Sequence, residues 1–232
     1  MRRIHPDMVD DPDLRQAYAY PDRPWLRLNM VASADGAAWL EGLSAGLSSK
    51  GDRRLFGVLR GLADVIVAGA ATVRAEGYGP AKPREDRPVP PPIAVVTRRL
   101  DLDLAGPLFT DAKTRTIVVT CADAPADRRA AAAEVADVIV AGTDRVDFAA
   151  ALAALHERGL TKVLCEGGPR VNAQLAADGL VDELCLTVSP LLVGGGAARI
   201  LNGQASQTPM RLAQVLEEDG VLFCRYVRKG EP

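Results

Sequence analysis

Glu166-Gly167-Gly168-Pro169 follows the short apolar run Val163-Leu164-Cys165 and precedes a segment of helical pattern. The residue types at this junction can do two kinds of chemistry. The carboxylate can accept hydrogen bonds from the amino or hydroxyl groups of a ligand. The paired glycines remove every Cβ where strand becomes helix, so a ligand or another backbone can approach closely. Proline suits the first helical turn, where its missing N–H would be unpaired anyway. The helix end then offers free N–H groups and a positive dipole to an anion, phosphate above all. The same residues also make a plain βα turn, and the remaining sequence has to choose between the two readings.

Other reactive side chains are scarce. The four cysteines, at 121, 165, 185 and 224, lie in or beside apolar runs and form no Cys-x-x-Cys pair, so they read as buried thiols. The two histidines, His5 and His156, are far apart in sequence. This inventory argues against a Ser-His-Asp triad and against a metal centre, so any chemistry is expected to be borrowed from a cofactor. With 232 residues, 48% of them apolar, and a net charge of −2, the chain suits one large domain with no electrostatic footprint for nucleic acid. No apolar run reaches the ~20 residues needed to span a bilayer. The N-terminus lacks the apolar stretch of a signal peptide. A cytoplasmic protein without nucleic-acid or membrane partners is expected.

Hydrophobic periodicity supplies the elements that must position the junction. Residues 1–24 contain four prolines and are expected to form an irregular N-terminal arm, with one or two helical turns at 14–20. Leu26, Leu28 and Met30 alternate with Arg27, Asn29 and Val31, which predicts a half-buried strand over 25–32. Ser33-Ala34-Asp35-Gly36 breaks it with turn chemistry. The Gly-, Ala- and Ser-rich loop 36–49 either closes over a ligand or is simply loose. Ser48-Ser49 caps a helix with Asp52 in its first turn and an apolar stripe of Leu55, Phe56, Val58, Leu59 and Leu62. Further strands are predicted at 65–68, 93–97, 116–120, 138–141 and 183–188, and helices near 73–76, 125–136, 148–158 and 169–177. The end reads as a hairpin of 210–217 and 221–228 around Asp219-Gly220. Alternating strands and helices predict an α/β domain over 25–232, with a mostly parallel sheet covered by helices and an antiparallel hairpin at its edge.

The glycines do not fit the common nucleotide motifs. A Rossmann fingerprint would follow the first strand, and a Walker A sequence is absent. Thr97, Arg98 and Arg99 stand at the end of a central strand, where open α/β sheets bind ligands. An arginine there either pairs with the 2′-phosphate of NADP or faces solvent.

Four patches carry a resemblance. They are the strand 29–36 ending in Ser-Ala-Asp-Gly, and the Gly-x-Ser segment leading into a helix over 42–53. The third is Leu59-Arg60 followed by Ala-Asp-Val-Ile-Val and Gly-Ala-Ala-Thr-Val. The fourth is Glu-Gly-Gly-Pro followed by Leu-Val-Asp-Glu-Leu and Ser-Pro-Leu-Leu. Together they are similar to the reductase domain of the bifunctional riboflavin-biosynthesis deaminase/reductase and to its stand-alone pyrimidine reductase relatives. That resemblance implies a dihydrofolate reductase-like fold and a homodimer. It implies a reaction in which NADPH reduces the ribosyl side chain of a phosphorylated aminopyrimidine, as in a 5-amino-6-(5-phosphoribosylamino)uracil reductase.

The same resemblance suggests roles. Val31, Thr72, Glu76, Gly168, Pro169, Arg170, Val171 and Asn172 match cofactor-contacting positions, with the pyrophosphate over Gly167 and Gly168. Ser44 and Arg60 match substrate-contacting positions, where an arginine can bind the ribose phosphate. Glu166 matches a carboxylate that recognises the pyrimidine, and Asp35 stands at the strand mouth near the site of hydride transfer. Asn29 stands where many bacterial members carry lysine and is like the archaeal and fungal stand-alone enzymes. Gly46 and Glu76 also depart from the bacterial pattern, which leaves the deaminated and the still-aminated pyrimidine both open. One rival is a dihydrofolate reductase-like enzyme acting on a pterin, which needs a buried carboxylate from the first long helix. There Asp52 is the only acid and is expected to serve the capping turn. The other rival is a NADP-binding protein without catalytic activity.

Overall fold

Short runs rich in β-branched residues in this chain assemble one continuous sheet. The computed structural model describes residues 1–85 and 87–230. Its first half contains β1 (Arg2–His5), β2 (Val9–Asp10), α1 (Leu14–Ala17), β3 (Trp25–Ser33), a 3₁₀ turn (Ser44–Leu47), α2 (Lys50–Leu62), β4 (Val65–Gly69), α3 (Ala70–Ala75) and β5 (Ile93–Val96). There follow α4 (Pro107–Thr110), β6 (Ile117–Thr120), α5 (Ala126–Val135), β7 (Asp137–Val140), α6 (Phe148–His156), β8 (Lys162–Cys165), α7 (Pro169–Ala177), β9 (Glu183–Ser189), β10 (Met210–Glu218) and β11 (Val221–Arg228).

Among the described residues the sheet has eleven strands in the order β2-β1-β10-β11-β9-β3-β8-β4-β5-β6-β7. Every pairing from β9 to β7 is parallel, and every pairing from β9 through β11 and β10 to β2 is antiparallel. The predicted α/β class, with its mostly parallel centre and terminal hairpin, is therefore the observed one. Strand β8, late in the chain, inserts between β3 and β4, so the glycine junction after it lies at the middle of the sheet. Period-two alternation divides the core. Ile66 and Ala68 of β4 join Leu55 and Leu59 of α2 on one face, while Val65 and Val67 join Leu155 of α6 and Leu175 of α7 on the other. Helix α2 begins as predicted, with the Ser49 hydroxyl accepting from the Asp52 N–H at 3.0 Å.

Three expectations change. The first 24 residues are not irregular throughout, because Arg2 and Arg3 pair with Glu217 and Leu216 and extend the sheet past β10. Tyr18 from the same segment is buried in the core. The stretch between the predicted strands at 93–97 and 116–120, where no element is predicted, holds α4, a helix too short to show periodicity. Strand β3 is not half-buried: its neighbours β8 and β9 enclose it, and Arg27, read as a polar outward residue, is fully buried.

The partner that makes this burial possible is Glu183, opposite Arg27 in the β3–β9 register. Arg27 Nε and Arg225 Nε each donate to Glu183 Oε1 at 2.8 Å, and Trp25 Nε1 donates to Oε2 at 2.8 Å. The Arg27 guanidinium also lies 4.0 Å from the centroid of Tyr20. Burial pushes the Glu183 carboxyl up, but the two guanidinium groups outweigh it and hold the group at about 2.

Glu183→Ala should therefore cost about 3–5 kcal/mol by leaving Arg27 buried without its anion. Urea unfolding measures this, and an unchanged midpoint would show that the pair is dispensable. Because the folded carboxyl is depressed from 4.5 to about 2, its contribution should be complete above pH ~4.5 and be lost as the pH falls towards ~2.

Candidate active site

The C-terminal ends of β3, β8, β4 and β5 open into a cleft of about 1720 Å³, walled by α2, α3, the start of α7 and part of the 36–49 loop. Its floor is shaped by two strand-to-helix turns pressed against each other. Gly69 N, ending β4, donates to Gly167 O at 2.7 Å. A Cβ on Gly69 would stand 2.9 Å from Val171 Cγ2, and one on Gly168 would collide with Thr72 Oγ1. Gly167 has φ +90°, and the Gly167-Gly168 peptide bond is cis. Glycine is thus required here by close packing against the Val171 and Thr72 side chains as well as by turn geometry. Pro169 opens the nine-residue helix α7, and no side chain caps that end among the described residues. Gly168, Pro169, Arg170 and Val171 at this end line the cleft, and an uncapped helix N-terminus there is suited to phosphate.

Next to this turn stands a clamped carboxylate. The Glu166 side chain is 2% exposed. Arg60 grips it with two bonds, Nε to Oε1 and Nη2 to Oε2, both 2.7 Å, and Tyr78 OH donates to Oε2 at 2.7 Å. Burial lifts the Tyr78 phenol well above its ordinary value, so the hydroxyl stays protonated and serves as a donor. Burial disfavours charge on Arg60, but Glu166 outweighs that and raises its pKa. Arg60 also packs 4.4 Å from the ring centroid of Phe56.

A second carboxylate enters the cleft from the start of α2. Asp52 Oδ1 accepts from Thr187 Oγ1 and Oδ2 accepts from Ser48 Oγ, each at 2.6 Å. Asp52, Phe56 and Arg60 all line the cleft, so one helix face presents anion, aromatic ring and cation in sequence.

The structure brings Asn29, Val31, Ser44, Arg60, Thr72, Glu76, Thr97, Arg98, Glu166, Gly168, Pro169, Arg170 and Val171 to the cleft wall. Three expected residues stand apart from it. Asp35 accepts from Ser33 Oγ, Gly194 N at 2.7 Å and Val193 N at 3.1 Å, which hold its pKa at about 2 and commit it to anchoring the loop after β9. Asn172 is fully buried; its Nδ2 donates to Ile200 O at 3.0 Å and so ties α7 to a neighbouring loop. Gly167 spends its carbonyl on Gly69 and supports the turn from beneath.

Other roles shift. Arg60 and Glu166, read as separate contacts to phosphate and pyrimidine, are instead coupled. Glu76 Oε1 accepts from Ser44 N at 2.9 Å and fastens the 36–49 loop to the end of α3. Thr97 Oγ1 accepts from Leu100 N at 2.9 Å and shapes the turn that carries Arg98 and Arg99 at the cleft lip. Those arginines also border a smaller hollow of about 500 Å³ with Arg128, Asp123 and Asp144. Sequence reasoning missed Tyr78, which stands between two glycines with no periodic signal. It also left Asp52 to the capping turn, although the four-residue spacing Asp52, Phe56, Arg60 already marked one helix face.

The model of the family described as RibD C-terminal domain matches residues 24–221. The chain is 32% identical over 217 residues to the 2,5-diamino-6-ribosylamino-4(3H)-pyrimidinone 5′-phosphate reductase of Methanothermobacter thermautotrophicus, covering 90% of this chain and 100% of that protein. It is 29% identical to the reductase of the same name from Archaeoglobus fulgidus, covering 83% and 93%. Its structure superposes on a pyrimidine reductase-like protein from Corynebacterium diphtheriae with a TM-score of 0.85 and 28% identity, covering 95% of this chain and 100% of that one.

Proposed function

The chain belongs to the RibD C-terminal domain family, and from that premise we propose that it reduces the ribosyl side chain of a phosphoribosylaminopyrimidine in riboflavin biosynthesis, with NADPH as reductant. The observation that carries the reading is the β8–α7 junction, where one turn presents a clamped carboxylate on one side and an uncapped helix end on the other. A nicotinamide cofactor fits this geometry, because the side-chain-free turn at Gly167 and Gly168 leads into an uncapped helix end that suits a pyrophosphate. Gly168, Pro169, Arg170, Val171 and Thr72 would hold the pyrophosphate, Val31 the nicotinamide half and Arg98 the 2′-phosphate. When bound, the nicotinamide supplies a hydride.

The substrate's ribosylamine opens to a C=N bond, whose sugar carbon accepts the hydride while the nitrogen takes a proton. The protein has to orient that carbon and exclude competing water. We assign Glu166, together with the Arg60 that clamps it, and Asn29 to the pyrimidine end of the substrate and Ser44 to its phosphate end. Arg60 and Tyr78 keep Glu166 a fixed anion, suited to accepting hydrogen bonds from ring amino groups. Asp35, engaged with the loop after β9, leaves the catalytic set. The name of the Methanothermobacter relative and the neutral Asn29 both favour the still-aminated pyrimidine as substrate.

The pterin reading gains one observation, since Asp52 reaches the cleft from the first long helix instead of serving only its cap. The family match keeps it second. A homodimer is also part of the proposal: Leu184, Leu186 and Val188 of β9 are half-buried on the face opposite Cys185 and Thr187, beside the hairpin. A cytoplasmic setting suits the four free, buried thiols.

NADPH oxidation should be fast with the 2,5-diamino pyrimidinone phosphate, slower with its deaminated counterpart and slowest with dihydrofolate. No oxidation with either pyrimidine would remove the reductase assignment. Arg98→Ala should lower the preference for NADPH over NADH by about tenfold, the loss of one charge-assisted contact; unchanged preference would move the 2′-phosphate elsewhere. Sedimentation at micromolar concentration should show a dimer, and a monomer alone would rule out the β9 interface.

A further inference from the structure

Two carboxylates face this cleft, and their surroundings differ. Glu166 is paired with a guanidinium at 2.7 Å and takes a further bond from a phenol. Asp52 is held by two neutral hydroxyls, Thr187 and Ser48, each using one lone pair of one oxygen. Each Asp52 oxygen therefore keeps acceptor capacity, and the charge is not cancelled by those partners. Among the described residues no basic side chain forms an ion pair with Asp52.

Its place along the site is also informative. Thr187 of β9 is the register partner of Val31 on β3, the residue assigned to the nicotinamide half. Asp52 thus stands near the reacting end of the cleft. Arg60, eight residues on along the same helix, stands roughly 12 Å away along the axis at 1.5 Å per residue. Phe56 lies between them on the same face. Asp52, the Phe56 ring and the Arg60–Glu166 pair follow one another along this wall, on the scale of an aminopyrimidine held at its C2 edge by one carboxylate and at its C5 side by the other.

We propose that Asp52 reads the C2-amino edge of the pyrimidine and so selects the still-aminated ring over the deaminated one; this rests on the reductase reading above. A 2-amino-4(3H)-pyrimidinone offers the C2 amino group and N3–H side by side, two parallel donors that match the two oxygens of one carboxylate. The deaminated ring offers N3–H beside a C2 carbonyl, whose lone pairs face the second oxygen of the anion. One ring makes two charge-assisted bonds, and the other makes one bond and one repulsion. Discrimination thus comes from rejecting the wrong ring as much as from holding the right one. The nitrogens at C5 and C6 are common to both rings, so Glu166 contacts to them cannot make this distinction.

Calorimetric titration of the NADP-loaded protein with 2,5,6-triamino-4(3H)-pyrimidinone and with 5,6-diaminouracil tests the assignment. The wild type should bind the 2-amino probe at least about tenfold more tightly, the effect expected of one charge-assisted hydrogen bond gained or lost. Asp52→Asn should abolish or invert the preference, weakening the 2-amino probe and tightening 5,6-diaminouracil, whose C2 carbonyl can accept from the new amide, whereas Glu166→Gln should weaken both alike. Equal binding by the wild type, or discrimination retained in Asp52→Asn, would overturn the proposal. If circular dichroism shows Asp52→Asn unfolded, Thr187→Val keeps the carboxylate and removes one of its donors. Discrimination should then fall several-fold, and an unchanged ratio would overturn the proposal equally. Failure of the underlying reading looks different. Probe discrimination without turnover of either phosphoribosyl substrate would sink the reductase assignment and leave Asp52 its role. Turnover of both substrates at equal kcat/KM would do the reverse.

Discussion

The contact between two strand-to-helix turns, after β4 and after β8, is the constraint on which the site depends. Gly69 and Gly167 share a backbone hydrogen bond of 2.7 Å, and Gly168 leaves no room for a side chain beside Thr72. This approach sets the α7 N-terminus at the cleft floor and puts Glu166 one residue from it. With larger residues at these positions the turns would separate, and the carboxylate and the helix end would no longer share one wall. The insertion of β8 between β3 and β4 brings the turns together, so topology and local residue choice meet at this point.

Charge is distributed with the same economy. Beneath the cleft, Glu183 gathers Arg27, Arg225 and Trp25 and locks β3 to β9 through a buried network. Its bonds are nearly all satisfied, which makes burial of ions tolerable and gives the two strands one register. That register puts Thr187 beside Val31 and under Asp52. A buried structural ion pair therefore fixes the position of the carboxylate that reaches the cleft from α2. Glu166 follows the opposite plan, with its partners inside the cleft, where Arg60 and Tyr78 hold it rigid.

Most secondary-structure elements were legible because their signals are local. Period-two and helical patterns predicted β4, β6, α5, α6, α7, β9 and the β10–β11 hairpin to within a few residues, and Ser49 announced α2. The arm was misread because strands of four and two residues carry little pattern of their own. Arg27 was misread because alternation reports side-chain polarity, whereas burial depends on which strands lie alongside.

The sequence by itself determined the α/β class, the junction Glu166-Gly167-Gly168-Pro169 as a strand-to-helix turn, and the resemblance that led to the reductase reading. Those conclusions rest on residue type and spacing within short windows. Only the tertiary structure decided how distant side chains pair. It joined Arg60 to Glu166 across the cleft, retired Asp35 and Asn172 to loop anchoring, and brought Tyr78 and Asp52 into the wall. Such pairings depend on strand order and on the face each helix turns inward, and both emerge only when the sheet closes around β8.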